Sequence, residues 1–365
     1  MKFLYLVKKE LLLFVRNKGL LLFVLYLFTG DIYIAANGID LSLKHAKFYT
    51  LDYDMSYESR DIVSKLVPPW FDFKGYITDS KEIESYLMRD KAVGIIVIPE
   101  DFSEKLKENK LDLAFFLNGA DASTGYLFAG YTGSIITDYY LEKVKNYQRN
   151  FSKIDLRNRV LYNPNTESKY FLGLSELFSV ITLLVLILPA ASIIREKDEG
   201  NIEMILISPL SIRKLIAAKL VAMTIIILLG TTISVNLILK TVLHIPVRGN
   251  QLLFLILTAG YIFTTMGLSL FIASISSNML QVSQLAILFL LPILFLSGSW
   301  TPYESMPLIF QKLTYLSPLK YYLDAGYAII IKGLDFSFVW FYILMMFLMG
   351  LPLFIFGTFF INKKL

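Results

Sequence analysis

Residues 170–194 read YFLGLSELFSVITLLVLILPAASII, and this stretch decides the fold class. It is 25 residues long, and Glu176 is its only charged residue. A bilayer core about 30 Å thick is crossed by roughly 20 apolar residues in a helix, so the stretch is long enough to span a membrane. The next nine residues, REKDEGNIE, are mostly charged and end the predicted span at Ile194.

Five further apolar stretches of similar length occur along the chain. Of its 365 residues 55% are hydrophobic and 18% are charged, against about 25% charged in an ordinary soluble domain. We therefore expect an α-helical membrane protein with six transmembrane helices. The predicted spans are 19–38, 170–194, 215–239, 252–275, 282–300 and 338–361.

The charged residues are concentrated between the first two spans. Residues 39–168 hold 17 Lys and Arg and 20 Asp and Glu, which is 37 of the 65 charged residues. Apolar runs typical of strands alternate there with helical patterns, which predicts an α/β domain at 39–169 with substantial parallel pairing, inserted between helices 1 and 2. The predicted strands are 46–51, 70–77, 92–98 and 111–117, and the predicted helices are 57–66, 80–89, 100–108 and 122–150.

The distribution of Lys and Arg predicts the orientation. With the N-terminus inside, segment 1–18, the loop 195–214 with Lys219, and the tail 362–365 hold twelve of them, and the short outer loops hold five. The positive-inside rule then places both termini in the cytoplasm and the α/β domain outside. Residues 2–16 show an apolar stripe at helical spacing, typical of an interfacial helix or of a longer first span. A cleaved signal peptide is the less favoured interpretation, because the apolar run continues past Asp31.

Several classes of function are excluded by what the sequence lacks. The chain has no Cys, and its two His are far apart, which excludes cysteine chemistry and disfavours a metal site. No GxxxxGK[ST] loop occurs, so any ATP and Mg²⁺ must be bound by another chain. No span carries a catalytic pair of residues, and we expect neither enzymatic activity nor a cofactor in this chain. The net charge of +5 reflects membrane topology rather than nucleic-acid binding.

Two carboxylates fall within or close to the outer half of predicted spans. Asp31 lies in the first span, and Glu176 lies near the start of the second. Because intramembrane carboxylates usually face a bundle interior or a wet cavity, both are candidates for a polar translocation path. Alternatively, they reach the outer headgroup layer or pair with Lys169.

The segment 300–333 is apolar but contains three prolines, so it cannot form one straight helix. It is predicted to form short re-entrant or interfacial helices at the outer surface. Aromatic side chains would then make a belt at the membrane interface. Its members would be Trp300, Tyr303, Tyr315, Tyr321, Tyr322 and Tyr327.

Four segments taken in order resemble the membrane subunit (permease) of ABC-2 type ATP-binding cassette exporters, in the subgroup with a large extracytoplasmic domain between the first two helices. The resemblance covers nearly the whole chain. The chain departs from the family pattern at three positions. Leu172, just before Gly173, stands where members often have Pro, Asn201 stands where they often have Thr, and Tyr327 stands where they often have Arg. The four segments are VGIIVIPEDFSEKL (93–106) with FLNGAD (116–121), YNPN (162–165), REKDEGNIE (195–203) with ISPL (207–210), and FLSGSWTP (295–302) with MP (306–307), SPLKYYLD (317–324) and KG (332–333).

The third of these segments is the most specific. Charged residues end at Gly200, and a short apolar turn follows that is too short to cross a bilayer and stops at Pro209. By itself this turn suits either lipid headgroups or a protein groove. The resemblance implies that it is a coupling helix that docks on the ATPase subunit. The implied coupling residues are Arg195, Glu196, Lys197, Asp198, Glu199, Gly200, Ile202, Glu203, Ile205, Leu206 and Pro209.

The resemblance implies an exporter in the plasma (inner) membrane of a prokaryote, which moves a drug-like, lipid-like or other amphiphile outward. Its partners would be a cytoplasmic ATP-binding cassette ATPase and a second copy or a related permease. Membrane lipid and a periplasmic adaptor are further candidate partners.

The rival hypothesis is a non-transporting receptor or sensor whose outer domain binds a ligand or an envelope partner. Copurification with an ATPase discriminates between the two.

Overall fold

The computed structural model describes residues 2–38, 43–89, 91–108, 112–117, 122–147, 167–198, 200, 212–299 and 306–364. The chain divides into two compact units. We call Met1–Ile39 with Leu161–Leu365 the helical unit and Asp40–Val160 the sheet unit.

The N-terminal part of the helical unit is broken at Asn17. This residue separates α1 (Lys2–Arg16) from α2 (Lys18–Tyr26), and its side chain accepts a hydrogen bond from the backbone N–H of Leu20. Residues 2–16 therefore form a helix of their own, because Asn17 caps a new helix instead of continuing the first, and the interfacial position of this helix stays a prediction. α2 continues through a π-helical segment, Leu27–Asp31, into α3 (Ile32–Gly38).

The described residues of the sheet unit form the elements β1 (Ala46–Asp52), α4 (Tyr57–Ser64), β2 (Phe71–Tyr76), α5 (Glu82–Met88), β3 (Gly94–Ile98), α6 (Phe102–Lys107), β4 (Ala114–Leu117) and α7 (Ala122–Tyr147). The four strands lie in the order β2-β1-β3-β4. β1 pairs in parallel with both β2 and β3, and β4 is antiparallel to β3. The predicted strands and their largely parallel pairing are confirmed.

The core of the sheet unit joins the sheet to α7. Phe128 is fully buried, and its ring packs edge-on against Phe71, with centroids 5.5 Å apart. The same ring fills the space beside Gly94 where a side chain would otherwise stand. Glycine in β3 thus allows the long helix to lie close to the sheet.

An ion pair also holds α4 against α7. Lys143 Nζ lies 2.9 Å from Asp61 Oδ2, and the hydroxyl of Tyr139 donates to the same carboxylate at 3.3 Å. The hydrogen bond with Lys143 lowers the pKa of Asp61, and the same bond raises the pKa of Lys143. Burial, followed by the nearby charge of Asp61, raises the pKa of Tyr139 to about 12. The pair therefore stays charged throughout the neutral range.

The rest of the helical unit consists of long and short helices. α9 (Ile212–Ile233) continues as a second π segment, Ser234–Val242. α12 (Leu308–Thr314) and α13 (Pro318–Ile330) are short, as the prolines of segment 300–333 predict. The elements are α8 (Ser168–Asp198), α9 (Ile212–Ile233), α10 (Gln251–Ile275), α11 (Met279–Phe295), α12 (Leu308–Thr314), α13 (Pro318–Ile330) and α14 (Phe336–Lys364).

Among the described residues, five helical stretches are long and apolar enough to cross a membrane. The predicted fifth span, 282–300, was wrong at both ends, because α11 begins at Met279 and stops at Phe295. Asn278 caps its start, and Gly298, with φ of 88°, lies in the turn that follows its end. Six spans therefore remain a prediction. The five stretches are Lys18–Gly38, Ser168–Glu196, Arg213–Val242, Gln251–Ile275 and Phe336–Ile361.

Small residues allow α10 and α14 to pack closely. A Cβ on Gly267 would overlap the backbone of Leu353, and one on Gly357 would overlap the carbonyl of Gly267. One turn earlier in α10, the hydroxyl of Thr264 donates to the carbonyl of Met346 in α14 at 3.1 Å. This is the packing expected when helices associate through small residues and interhelical hydrogen bonds in lipid.

Candidate coupling and transport sites

The predicted coupling segment starts at the carboxyl end of α8. The helix ends at Asp198, and Gly200 has φ of 71°, the left-handed conformation of a glycine that terminates a helix. Arg195 and Asp198 are exposed, and Lys197 belongs to the last turn of the helix. The other predicted coupling residues lie outside the described residues. They are Glu199, Ile202, Glu203, Ile205, Leu206 and Pro209.

Glu196 differs from its neighbours because it is buried. Its Oε1 lies 3.3 Å from Nζ of Lys219 in α9, and the same Nζ lies 3.0 Å from Oε1 of Glu10 in α1. The side chains of Glu10 and Lys219 are each only 3% exposed. We call Glu10, Glu196 and Lys219 the ion bridge. It joins α1, α8 and α9 at a single point.

Two further side chains complete the ion bridge. Lys219 donates to the hydroxyl of Ser192 at 3.1 Å, and Lys9 Nζ lies 3.4 Å from Oε1 of Glu196. Buried charges are costly unless they are paired and hydrogen bonded, so these contacts make the cluster tolerable inside the protein. Removing one partner would leave an uncompensated charge.

Sequence reasoning identified Glu196 but missed Glu10 and Lys219. A signal for Glu10 was present, because it lies three residues after Val7 and four before Phe14, which are both buried on the same face of α1. An acid on an apolar stripe predicts a buried partner. Lys219 was counted only for membrane orientation, yet Leu215 and Ala222, four before it and three after it, are both buried.

The structure brings the two predicted translocation carboxylates together. Asp31 ends the first π segment, and its carboxyl group lies close enough to that of Glu176 in α8 for the two groups to interact electrostatically. Lys169, the alternative partner, instead lies 2.6 Å from Glu167. We call Asp31 and Glu176 the carboxyl pair.

The π segment that presents Asp31 is held by α9 and its continuation. The hydroxyl of Ser234 donates to the carbonyl oxygen of Phe28, which lies in the π segment. The ring of Phe28 also packs so closely on Gly230 that a Cβ there would overlap it. Single π turns in α-helices are often found at functional sites, and here one places the acid that reaches Glu176.

The predicted aromatic belt was wrong for two of its members. Tyr322 is fully buried and stacks on Tyr261 with ring centroids 4.3 Å apart, and Tyr321 is 8% exposed. The hydroxyl of Tyr322 shares a 2.8 Å hydrogen bond with Thr258, so its polar end needs no water. α13 packs against α8 and α10 rather than presenting these rings at a surface, whereas Tyr315 is 49% exposed. Trp300 and Tyr303 lie outside the described residues.

Tyr327 occupies the position at which the resemblance implies an arginine. Its ring stacks on Phe171, and its hydroxyl donates to the backbone carbonyl of that residue at 3.0 Å. Nearby, the hydroxyl of Ser175 donates to the carbonyl of Ser299 at 2.7 Å. These contacts tie the start of α8 to α13 and to the turn after α11 without a charged residue.

Comparisons with known proteins agree with this architecture. Residues 19–359 match the model of the family described as ABC-2 family transporter protein. The chain is 30% identical to the inner membrane transport permease YhhJ of Escherichia coli strain K12, over 91% of this chain and 89% of that protein. It is 29% identical to the probable multidrug ABC transporter permease YbhR of the same strain, over 71% and 70% of the two chains. The resemblance identified from the motifs is thereby confirmed.

Proposed function

Since the chain belongs to the ABC-2 family of transporter proteins, we propose that it is the membrane-spanning permease subunit of an ATP-binding cassette exporter. A separate cytoplasmic subunit binds and hydrolyses ATP with Mg²⁺, and this chain moves an amphiphilic substrate outward. The sequence contains no GxxxxGK[ST] phosphate-binding loop, which supports the assignment of ATP binding to a separate subunit. The name of the relative YbhR, a probable multidrug permease, supports a drug-like or lipid-like substrate.

The proposed assembly contains two permease chains, either identical or related, with two ATPase subunits. Each permease has six spans in the inner membrane, with both termini in the cytoplasm and the sheet unit outside. The excess of Lys and Arg in the inner segments supports this orientation. The name of the relative YhhJ, an inner membrane transport permease, supports the location.

The observation that carries the proposal is the ion bridge. Glu196 immediately precedes the segment proposed to dock on the ATPase, and Lys219 connects it to Glu10. Because all three side chains are buried and paired, α8 cannot move at this point without displacing α1 and α9. A displacement of the coupling segment would therefore be transmitted to α1, α8 and α9 together.

Copurification tests the function directly. The permease is expected to retain an ATP-binding cassette ATPase through detergent purification and to stimulate its activity. Glu199→Lys and Glu203→Lys reverse charges at the proposed docking surface, and Pro209→Ala removes the stop after the apolar turn. We expect each variant to lower ATPase stimulation on the order of tenfold, because like charges or a displaced anchor oppose docking.

Each of these variants should still reach the membrane in normal amount. Arg213→Gln, which changes an exposed charge at the start of α9, is the matched control. Normal ATPase binding and normal transport in all three variants would refute the coupling assignment. Purification of the intact protein without any ATPase would favour the sensor hypothesis.

Orientation can be measured with introduced cysteines, since the native chain contains none. Met88 is 75% exposed in the sheet unit, and Arg213 is exposed at the start of α9. We expect an impermeant thiol reagent to label Met88→Cys in intact cells or spheroplasts and to label Arg213→Cys only after permeabilisation. The reverse pattern would overturn the orientation and every cytoplasmic assignment.

The carboxyl pair predicts a change in selectivity. Asp31→Asn with Glu176→Gln keeps the size of both groups and permits one hydrogen bond between them. If the pair lines the path, export of a cationic substrate should fall while a neutral one passes at a near-normal rate. Thermal stability should be unchanged or higher, because a neutral amide is cheaper to bury than a carboxylate.

Export rates of one cationic and one neutral substrate, measured side by side, provide the test. Lys169→Gln is the control variant, since Lys169 pairs with Glu167 and not with the carboxyl pair. Equal loss for both substrates together with a large fall in stability would show that Asp31 and Glu176 have a structural role.

A further inference from the structure

A cavity of about 320 Å³ lies beside the ion bridge, between α1, α2, α8 and α9. Pockets that bind small molecules usually have volumes of about 300–1,000 Å³, so this one is large enough for a hydrocarbon chain. Most of its wall is apolar and includes Leu13, Phe14, Ile187, Leu188 and Met223.

The charged part of the lining has more basic than acidic groups. Three basic residues, Lys9, Arg195 and Lys219, and two acidic ones, Glu10 and Glu196, line the cavity. Two ammonium groups balance the two carboxylates, at N–O distances of 3.0–3.4 Å, and the guanidinium of Arg195 adds a further positive charge. The described lining therefore has an excess of one positive charge, which favours an anion.

The basic groups at the rim of the cavity are more accessible than the acidic ones. The side chain of Lys9 is 52% exposed, and Arg195 is also exposed. Glu10, Glu196 and Lys219 are buried. An anion that reaches the cavity thus meets an ammonium and a guanidinium group first, and these are the groups that bind phosphate best in proteins.

The cavity lies where three membrane-length helical stretches have an end. Lys18 begins the first stretch, Glu196 ends the second, and Arg213 begins the third. Ile187 precedes Arg195 by eight residues, about 12 Å along α8, so the lining runs from charged residues at the end of a span into its apolar part. A phospholipid has the same order of groups, since its phosphate lies at the membrane surface and its acyl chains lie in the hydrocarbon.

The sequence around the charged end of the cavity is basic as well. Segments 1–18 and 195–219 together hold ten Lys and Arg against five Asp and Glu. Basic pockets between membrane helices on the cytoplasmic side bind the head groups of anionic lipids. Charge and position therefore favour the same class of ligand.

We propose that this cavity binds an anionic phospholipid of the inner leaflet, with its phosphate at Lys9 and Arg195 and one acyl chain along the apolar wall. The choice of leaflet rests on the orientation in the proposed function, and the site itself requires neither transport nor an ATPase. The bound lipid would connect α1 and α2 to the end of α8, next to the ion bridge.

Lipid binding to the purified, delipidated full-length chain in detergent tests the inference. Native mass spectrometry gives the dissociation constants of phosphatidylglycerol and of phosphatidylcholine with the same acyl chains. We expect saturable binding of phosphatidylglycerol and binding of phosphatidylcholine that is weaker by about tenfold, because the choline group cancels the negative charge of the phosphate. Glycerol 3-phosphate, which has the phosphate but no acyl chain, should not displace phosphatidylglycerol.

Four variants with matched charges locate the site. Lys9→Gln and Arg195→Gln each remove one basic group from the rim, and each should weaken phosphatidylglycerol binding about tenfold. Their controls are Lys8→Gln and Arg213→Gln, since both native residues are exposed and neither lines the cavity. All four changes are at exposed positions, and thermal unfolding checks that each variant is folded.

Ala191→Leu tests the apolar part of the cavity. The larger side chain occupies space in the lining and leaves all five charged groups unchanged. We expect this variant to weaken the binding of phosphatidylglycerol and phosphatidylcholine by the same factor, because both lose room for the acyl chain.

Three results would overturn the inference. Equal binding of the two phospholipids would refute recognition of the anion, and displacement by glycerol 3-phosphate would identify a site for a free phosphate instead of a lipid. An equal loss in Lys8→Gln and Lys9→Gln would show that the lipid binds a diffuse basic surface rather than the cavity. ATPase copurification tests the proposed function separately, so these results leave it untouched.

Discussion

Replacing Lys219 with methionine is expected to destabilise the helical unit by about 3–5 kcal/mol. The variant would leave the carboxylates of Glu10 and Glu196 buried side by side without the ammonium group that lies between them, 3.0 Å from one and 3.3 Å from the other. Methionine fills a similar volume, so the effect is electrostatic rather than steric. Thermal unfolding of the purified protein and the amount of folded protein in membranes measure the loss.

A fully neutral bridge separates stability from mechanism. Glu10→Gln, Glu196→Gln and Lys219→Met together remove the three charges of the ion bridge, and replacing a buried ion cluster by neutral groups is often close to neutral for stability. We expect the triple variant to recover most of the lost stability. ATPase stimulation should nevertheless stay low, because neutral side chains join the three helices less rigidly.

The control is Lys214→Met, which removes an exposed lysine from the same helix and should have little effect. Normal stability of the single Lys219→Met variant would mean that the ion bridge does not stabilise the folded protein. Full ATPase stimulation by the triple variant would show that the bridge has only a structural role.

Gly267→Ala is expected to cost about 3 kcal/mol or more, because overpacking usually costs about 1–3 kcal/mol and here the obstacle is backbone. The new methyl group would overlap the backbone of Leu353 in α14. A side chain could change its rotamer to relieve such a contact, but a neighbouring helix must move as a whole. Thermal unfolding in detergent and the yield of folded protein report the effect.

Gly260→Ala is the matched control. Gly260 lies seven residues earlier in α10, but a Cβ there would lie 3.7 Å from the ring of Phe347, which is an ordinary contact. Alanine also favours a helix over glycine by about 1 kcal/mol, so this variant should be neutral or stabilising. Equal stability of the two variants would contradict the close approach of α10 and α14.

The sheet unit could be predicted well because its signals are local. Each strand is a short apolar run bounded by turn residues, and the helices between strands predicted parallel crossovers. The strand predicted at 46–51, for example, is Ala46–Asp52 in the structure. The pairing of Lys143 with Asp61 could not be predicted in this way, since it depends on how α4 and α7 pack.

The ion bridge shows a different limit. Its three charged residues come from helices separated by long stretches of sequence, and local periodicity does not report which residues meet. Burial of Glu10 could have been inferred from the apolar face of α1, and burial of Lys219 from its neighbours in α9. Their pairing with Glu196 becomes apparent only once the helices are packed.

The tyrosines of α13 were misjudged for a chemical reason. Tyr is common at membrane interfaces because one end is apolar and the other is polar. The same property lets a buried Tyr322 stack on Tyr261 and bond to Thr258. Composition cannot separate the two situations, since in both the hydroxyl finds a partner.

The first π segment has a consequence for comparing related chains. Val24, Phe28, Ile32 and Ala36 are all buried and recur every four residues, whereas an α-helix turns by about 400° over four residues and would carry such a stripe gradually around its axis. The wider turn at Leu27–Asp31 resets the angular phase, so the stripe stays on one side. A relative shorter by one residue here would turn a different side chain toward Glu176. An alignment gap of one position in this helix would therefore mark a change in the chemistry beside Glu176 rather than a neutral difference in length.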